Sequence, residues 1–272
     1  MAAFLDKEPD SRKEKAINLA KSYGFNIKKV DLNSSGTLWK VSEDGSELIQ
    51  PLTSIKGLGS TAIQQILDNR PFSTVEEFLF NEDIVYSKLN KKAIDALVRS
   101  GAADCLMDDR FLGQKHFWYS IAVDRPRKEK NLATNIEMYE GEVEFTQEEK
   151  IKNLVELTGI FPMSEVISHE TMNMLKNNPK GPCYPISEYY DSSTPVWFIP
   201  REIKKKKTKR GRSYYVISVI DSNNESNTIR CWNVDPEKDI VFINRPYMAK
   251  LKHDPQWGFS TFSLRRSFRL LA

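Results

Sequence analysis

Gly57-Leu58-Gly59 constrains this chain more than any other stretch. A short apolar run, Pro51 to Ile55, meets Lys56 and this Gly-x-Gly turn. Ser60 and Thr61 then open a helix with Ile63, Ile66 and Leu67 on one face, the pattern of a helix-hairpin-helix. The two glycines take positive φ and let the backbone pass close to a neighbour without a Cβ clash. Ser60 is the candidate N-cap, so the free N–H groups of the second helix point at the turn. Backbone donors at a helix N-terminus suit a phosphate, and Lys56 adds a mobile positive charge. Two readings stay open. Lys56, Gly57, Leu58, Gly59, Ser60 and Thr61 clamp a nucleic-acid backbone without regard to sequence, or they form an ordinary corner whose glycines serve only tightness.

A chain of 272 residues fits two or three small domains better than one. With 40% hydrophobic and 28% charged residues, packed cores and a soluble surface are both within reach. No apolar run approaches the ~18 residues of a membrane span, and Met1-Ala-Ala-Phe-Leu5 lacks the basic flank and apolar core of a signal peptide. Cys105, Cys183 and Cys231 form no C-x-x-C pair and are expected in the core. His116, His169 and His253 are equally scattered, each structural or at the surface. Reduced cysteines and the missing leader fit a cytoplasmic setting.

Along the chain, Ser11 and Glu14 form a capping box for a first helix. Ala16, Ile17, Ala20 and Tyr23 give it an apolar stripe, and Gly24 stops it. Phe25 to Leu32 reads as extended, and Thr37–Val41 with Glu47–Gln50 reads as a hairpin around Glu43-Asp44-Gly45-Ser46. The helix from Ser60 stops before Pro71, which forces Arg70 into an extended conformation. Ser73 and Glu76 suggest another capping box. Asn90 caps a helix from Lys91 to Ser100, with Ala93, Ile94, Leu97 and Val98 inward and Gly101 at its end. Residues 51–106 therefore read as a bundle of four or five short helices, a common partner arrangement for a hairpin that grips DNA; Lys91, Lys92 and Arg99 are individually solvated helix charges, and Lys91 and Lys92 are counted among the DNA-binding candidates.

Phe111 to Ala122 continues as an aromatic-rich helix. Residues 124–150 are dense in charge without a clear period and read as a linker. Asn135, Met138 and Tyr139 form an apolar-aromatic island within it, either a peptide that docks into a partner's groove or a stray turn of helix. Glu148 to Thr158 is a short amphipathic helix closed by Gly159. From Thr194 the period becomes two, with strands expected at Val196–Ile203, Ser213–Ile220, Thr228–Val234, Asp239–Ile243, Tyr247–Leu251 and Phe259–Leu264. Five or six short strands fit a small barrel of the OB type. The fold class expected is α+β, with a helical double helix-hairpin-helix bundle followed by that barrel.

Between the first two strands lie Arg201, Lys204, Lys205, Lys206, Lys207, Lys209, Arg210 and Arg212, opposed by Glu202 alone. This local charge of +7 exceeds the +3 of the whole chain, so the remainder is net negative. Concentrated positive charge neutralises phosphates and gives a salt-sensitive grip; a solvated loop or targeting patch is the alternative. Trp197, Phe198, Tyr214, Tyr215 and Trp232 lie on neighbouring strands. Alternation sends Tyr214 and Tyr215 to opposite faces, one to pack and one to stack on bases. No P-loop, nucleophile elbow or H-E-x-x-H motif occurs, and Asp108-Asp109 reads as a surface turn. No catalytic or metal-ligating set is expected.

In order and in detail these stretches resemble the alpha subunit of bacterial DNA polymerase III, a C-family replicative polymerase. Met1-Ala-Ala-Phe-Leu5 and Lys21-Ser-Tyr-Gly-Phe-Asn-Ile27…Asp31-Leu-Asn33 are similar to its fingers region, and Pro51-Leu-Thr-Ser-Ile-Lys-Gly-Leu-Gly59 to its helix-hairpin-helix entry. Pro71-Phe-Ser73…Phe78 and Leu89-Asn-Lys-Lys-Ala-Ile-Asp-Ala-Leu-Val-Arg-Ser-Gly-Ala102…Asp104 follow in the family's order. Thr208-Lys-Arg-Gly211 resembles the first hairpin of its OB domain. The resemblance implies end-of-fingers at 1–50, helix-hairpin-helix at 51–123, linker at 124–150, helical connector at 151–193 and OB-fold at 194–272.

It further implies duplex DNA held at Lys56–Gly59 and single-stranded template near the OB domain. Asn135, Met138 and Tyr139 fall at the family's internal sliding-clamp motif, with Asn in place of the usual Gln and Tyr in place of Phe. Gly159-Ile-Phe-Pro-Met-Ser164 lacks the His-Pro that commonly follows. The palm, its metal-binding aspartates and the phosphoesterase-like domain are absent from the stretch. A split-gene product or an excised fragment is therefore expected, non-catalytic alone, with Mg²⁺ and catalysis supplied by a palm elsewhere in a bacterial or phage-infected cell. The competing reading is a non-enzymatic adaptor, derived from such a polymerase, that binds a clamp or another replication protein.

Overall fold

The computed structural model describes residues 1–179, 181–223 and 225–271, and the side chains of all of these except residues 10, 11, 14, 18, 22, 164 and 165. It divides into two compact units, Met1–Phe161 and Pro162–Ala272. The architecture is α+β, as expected: a helical region in the first unit and a curled mixed sheet, an OB-like half-barrel, in the second.

The first unit opens with α1 (Ala2–Lys7) and α2 (Asp10–Ser22). The capping box expected at Ser11 and Glu14 lies outside the described side chains. Ala16, Ile17 and Ala20 are buried against Leu5, Trp39 and Leu48, but Tyr23 caps the helix at 69% exposure and leaves the stripe. Gly24 follows in the left-handed region at φ +87. The hairpin is present as β2 (Lys40–Val41) and β3 (Glu47–Ile49), and β1 (Asn26–Lys28) joins it parallel to β3.

The main core of this unit gathers Leu52, Ile55, Leu58 and Ile63 with Phe78, Leu97, Phe117 and Leu157. It draws on α3 (Ser60–Asn69), α4 (Val75–Phe80), α5 (Lys91–Arg99), α6 (Gln114–Trp118), α7 (Glu129–Met138) and α8 (Gln147–Thr158). Arg70 is extended at φ −79, ψ 159, as a following proline demands. Asn90 caps α5, its side chain accepting from Ala93 N at 3.0 Å. Two expected caps shift by one residue. Gly59, not Ser60, is the N-cap of α3. Thr74 rather than Ser73 caps α4, accepting from Glu77 N at 3.2 Å while Glu77 accepts from Ser73 N at 2.6 Å.

The charged stretch 124–150 is not free of regular structure, since α7 occupies its middle and buries Leu132 and Asn135. Ahead of it, α6 runs into one turn of π-helix, Tyr119–Val123. That wider turn leaves carbonyls without their usual helical donors. Asn135 supplies donors, its Nδ2 reaching Ser120 O at 3.0 Å and Asp124 O at 2.5 Å. His116, fully buried, adds a second tie by accepting from Leu112 N and contacting Ile136 O at 2.8 Å. A capping box at Thr146 and Glu149 starts α8, and Arg99 fixes α8 to α5 through Asn153 and Glu156, both at 2.8 Å.

The second unit begins with α9 (Met163–Val166), α10 (His169–Lys176) and β4 (Tyr184–Pro185). Its sheet comprises β5 (Val196–Lys207), β6 (Ser213–Ile220), β7 (Asn227–Cys231), β8 (Tyr247–Ala249), β9 (Lys252–Asp254) and β10 (Gly258–Thr261); α11 (Leu264–Ser267) then leads to β11 (Arg269–Leu270). The order is β11-β8-β5-β6-β7-β10-β9, with β4 beside β5. Phe198, Tyr215, Ile217, Ile229, Cys231 and Phe259 build the core. No strand forms at Asp239–Ile243. Asp239 turns the chain by accepting from Asp235 N at 2.7 Å and pairing with Arg265 at 2.9 Å, and Ile240, Phe242 and Ile243 face solvent. Cys183 and Cys231 are buried, and burial holds the Cys231 thiol at about 12; Cys105, expected in the core, is exposed.

Asn135→Ala strands two carbonyls in a packed turn and is expected to destabilise the first unit by about 2–3 kcal/mol. Met138→Ala, a change at an exposed side chain, is expected to stay within about 0.5 kcal/mol of wild type. Denaturant unfolding of both variants checks this, and equal effects would remove Asn135 from its role in the fold.

Candidate nucleic-acid interface

The glycine corner is held from below and open above. Ile55 and Leu58 are buried, whereas Lys56, Gly57, Gly59, Ser60 and Thr61 are exposed. Leu58 therefore serves as an anchor rather than a contact. Gly57 sits at φ +86, a region that costs other residues roughly 1–2 kcal/mol; Gly59, expected to share it, is instead extended at φ −73, ψ 155, as a helix N-cap is. Leu58 N–H closes the turn on Ile55 O at 3.2 Å, and the N–H groups of Ala62 and Ile63 both reach Gly59 O at 3.0 Å. The N–H groups of Gly57, Gly59, Ser60 and Thr61 meet no acceptor among the described residues. Four unused donors thus lie at the positive end of α3.

The cations near this corner are not the ones sequence position alone suggests. Lys56 N–H donates to Leu157 O at 2.7 Å, and its ammonium lies 3.3 Å from the position a Cβ on Gly159 would take. Gly159 ends α8 in the left-handed region at φ +71, so Lys56 is drawn to the carbonyl end of that helix. Lys92 replaces it beside the turn, with its Cε 3.5 Å from a Cβ built on Gly57. Lys91 is exposed in the same first turn of α5.

In the second unit, Ile203 pairs with Ile217 and points inward, and beyond it Lys204, Lys205, Lys206 and Lys207 are all exposed. Lys204 is matched by Glu202 at 3.0 Å, and Lys205 lies 6.0 Å from the Tyr215 ring. Gly211, at φ +78, donates to Thr208 O at 2.9 Å and closes the hairpin, leaving Lys209, Arg210 and Arg212 exposed at its tip. Trp197, Phe198 and Tyr215 are core residues. Tyr214 lies on the opposite face from Tyr215 and stacks on Trp232, with ring centroids 4.7 Å apart and planes 28° apart.

Cross-strand register extends this pair into a row. Lys206 faces Tyr214 across β5 and β6, Tyr214 meets Trp232, and Trp232 N–H bonds Thr261 O at 2.9 Å, which brings Phe262 alongside. A second row runs Lys204, Val216, Arg230, Ser260 and Lys252. Arg230 lies 5.8 Å from the Trp257 ring and Lys252 6.0 Å from that of Phe262. This face alternates rings and cations, the arrangement that stacks bases and tracks a phosphate backbone. Arg230, Trp257 and Phe262 were not singled out from sequence, because their alignment depends on β7 and β10 pairing in parallel. The spacing from Tyr214 to Trp232 was the available signal.

The clamp candidates separate. Asn135 is 7% exposed and bonded within the fold, Met138 is 56% exposed, and Tyr139 packs against Tyr119 with centroids 5.0 Å apart and planes tilted by 33°. Lost hydration and the nearby Asp124 carboxylate raise the Tyr139 phenol above its ordinary value. Asp108 forms an ion pair with Arg110, as does Glu76, and both carboxyls are held below the usual range by that guanidinium. Among the described residues no group of three or more His, Cys, Asp or Glu side chains is placed to hold a metal ion, and no helix is long and apolar enough to cross a membrane.

A helix-hairpin-helix motif profile matches residues 24–111, the segment that contains the corner, α3, α4 and α5. The DNA polymerase III alpha subunit of Chlamydia pneumoniae is 23% identical over 302 aligned positions, covering 90% of this chain and 24% of that relative. The Thermus aquaticus alpha subunit is 32% identical over 114 positions, 40% of this chain and 9% of the relative. An error-prone DNA polymerase of Corynebacterium glutamicum is 33% identical over 90 positions, 33% of this chain and 8% of its own length. The chain spans about a quarter of the length of the Chlamydia pneumoniae relative and less than a tenth of the other two. Motif and alignments together make the chain similar to DNA polymerase III alpha subunits over most of its length and consistent with their C-terminal part, with a helix-hairpin-helix region within it.

Proposed function

We propose that this chain is the DNA-gripping part of a C-family replicative polymerase assembly whose catalytic palm lies outside the stretch. The observation that carries this reading is the corner at Gly57–Thr61, where four backbone N–H groups without internal acceptors face solvent beside Lys92. Such donors bind a phosphate whatever base it carries, which suits a duplex held without regard to sequence. The ring-and-cation face around Tyr214 and Trp232 complements it, because stacking requires unpaired bases. Single-stranded template is therefore the partner of the second unit and duplex product that of the first.

For a sliding clamp, the surface offers Met138 and the rim of Tyr139. Asn135 is committed inside, so a clamp contact is the weaker part of the adaptor alternative. The two readings differ in salt response. A DNA-gripping chain binds oligonucleotides with steep salt dependence; an adaptor binds its protein partner with DNA absent and DNA only weakly.

Replacing Lys204, Lys205, Lys206 and Lys207 together by Ala is expected to weaken single-strand binding and flatten the slope of log K against log salt by about two to three. Lys92→Glu is expected to weaken duplex binding and lower that slope by about one to two, with single-strand affinity retained. Fluorescence anisotropy across a salt series reads both. Unchanged slopes, or equal losses on both substrates, would contradict the division of labour. With Mg²⁺ and a primed template the purified chain is expected to incorporate no nucleotide; incorporation that persists after host polymerase has been removed would overturn the assignment of catalysis elsewhere.

A further inference from the structure

At the base of the basic hairpin the outer face of the sheet dips into a groove of about 390 Å³, lined among others by Lys209, Arg210, Arg212, Trp232, Asn233 and Phe262. It shares Trp232 and Phe262 with the row described above and adds Asn233 and the cations of the hairpin tip. Trp232 has one ring face covered by Tyr214, and its backbone is pinned by the bond from its N–H to Thr261 O. Phe262, 62% exposed, supplies a second ring, and three cations border it.

Asn233 sets this groove apart. Among the described residues it is one of two non-glycine residues with positive φ, at +53, and it is fixed on both sides: Trp232 N–H bonds Thr261 O at 2.9 Å, and Val234 N–H bonds Ser213 O at 3.3 Å. Val234 is buried, which leaves the Asn233 side chain exposed in the groove. Tolerance of left-handed backbone is one reason for Asn here. Glycine meets that need with less strain, so the turn alone does not explain a carboxamide among two rings and three cations.

We propose that this groove is a nucleobase subsite. Trp232 and Phe262 stack an unpaired base, Lys209, Arg210 and Arg212 hold the adjoining phosphate, and Asn233 hydrogen-bonds the edge of the base. The inference rests on the DNA-binding reading above and adds to it a base preference at one position of an otherwise sequence-blind strand. A carboxamide presents a donor and an acceptor side by side, which complements the N6 amino group and N7 of adenine. Adenine also offers the larger stacking face of a purine. The preferred base is adenine.

The test measures binding of the full chain to a fluorescent thymidine tract and to the same tract carrying one central adenine, guanine or cytosine. The single adenine is expected to tighten binding about fivefold. Asn233→Ala is expected to erase that gain, read as the ratio of affinities for the adenine-bearing and plain tracts. Asn233→Gly, which relieves the left-handed backbone and so keeps the turn, is expected to do the same. Trp232→Ala weakens every oligonucleotide, and Trp232→Phe restores most of the loss. Tight binding to the tract with no gain from adenine, or a gain that survives both Asn233 variants, overturns the subsite and leaves the DNA-binding reading standing. No binding of any strand at low salt overturns both.

Discussion

A leucine turned inward between two glycines turned outward is the constraint on which the first unit depends. Burying Ile55 and Leu58 stabilises the fold by roughly 1.5–3 kcal/mol each, more than the strain that a side chain at Gly57 would introduce. With those two residues in the core, the turn has one orientation, and the N–H groups of Gly57 to Thr61 face solvent. Everything around the corner serves to hold it. The bond from Lys56 N–H to Leu157 O backs it with α8, and Arg99 ties α8 to α5. The π-turn needs Asn135 and His116 to keep α7 against the same core. The corner is rigid because its support is buried.

On the proposed reading, the second unit would meet the same ligand chemistry by different means. Its charge is concentrated in the hairpin, where both faces of β5 beyond Ile203 are free of the core and can carry lysine without burying it. Inside the sheet, alternation separates Tyr215, which packs, from Tyr214, which stacks on Trp232. A duplex hides its base faces, whereas an unpaired strand exposes them. Backbone donors at a helix start and aromatic rings on a sheet are thus suited to the two different states of one nucleic acid.

Much of this was legible in the sequence. The Gly57 and Gly59 corner, the Asn90 cap and the β5–β6 hairpin follow from strong local signals, as does the burial of Ala93, Ile94, Leu97 and Val98 at helical spacing. The misses have a common cause, which is that tertiary context decided between local options. Ser60 and Ser73 each have a neighbour able to cap, and Gly59 and Thr74 take those positions. Asp239–Ile243 alternates like a strand, but Asp239 uses its carboxylate to turn the chain. Residues 124–150 read as a linker because α7 buries only Leu132 and Asn135 fully, too few residues to produce a period. The row from Lys206 to Phe262 was out of reach, since it joins residues of β5 and β6 to the residues just past β7 and β10 through register.

Amide hydrogen exchange on the corner tests the central claim most directly. In the free protein the amides of Gly57, Gly59, Ser60 and Thr61 lack internal acceptors and are expected to exchange rapidly. A saturating blunt duplex should slow exchange across 57–61 and leave 204–214 little changed, while a single strand should do the reverse. Exchange at 57–61 that stays fast under saturating duplex would contradict the account, since those donors would then be reserved for no phosphate.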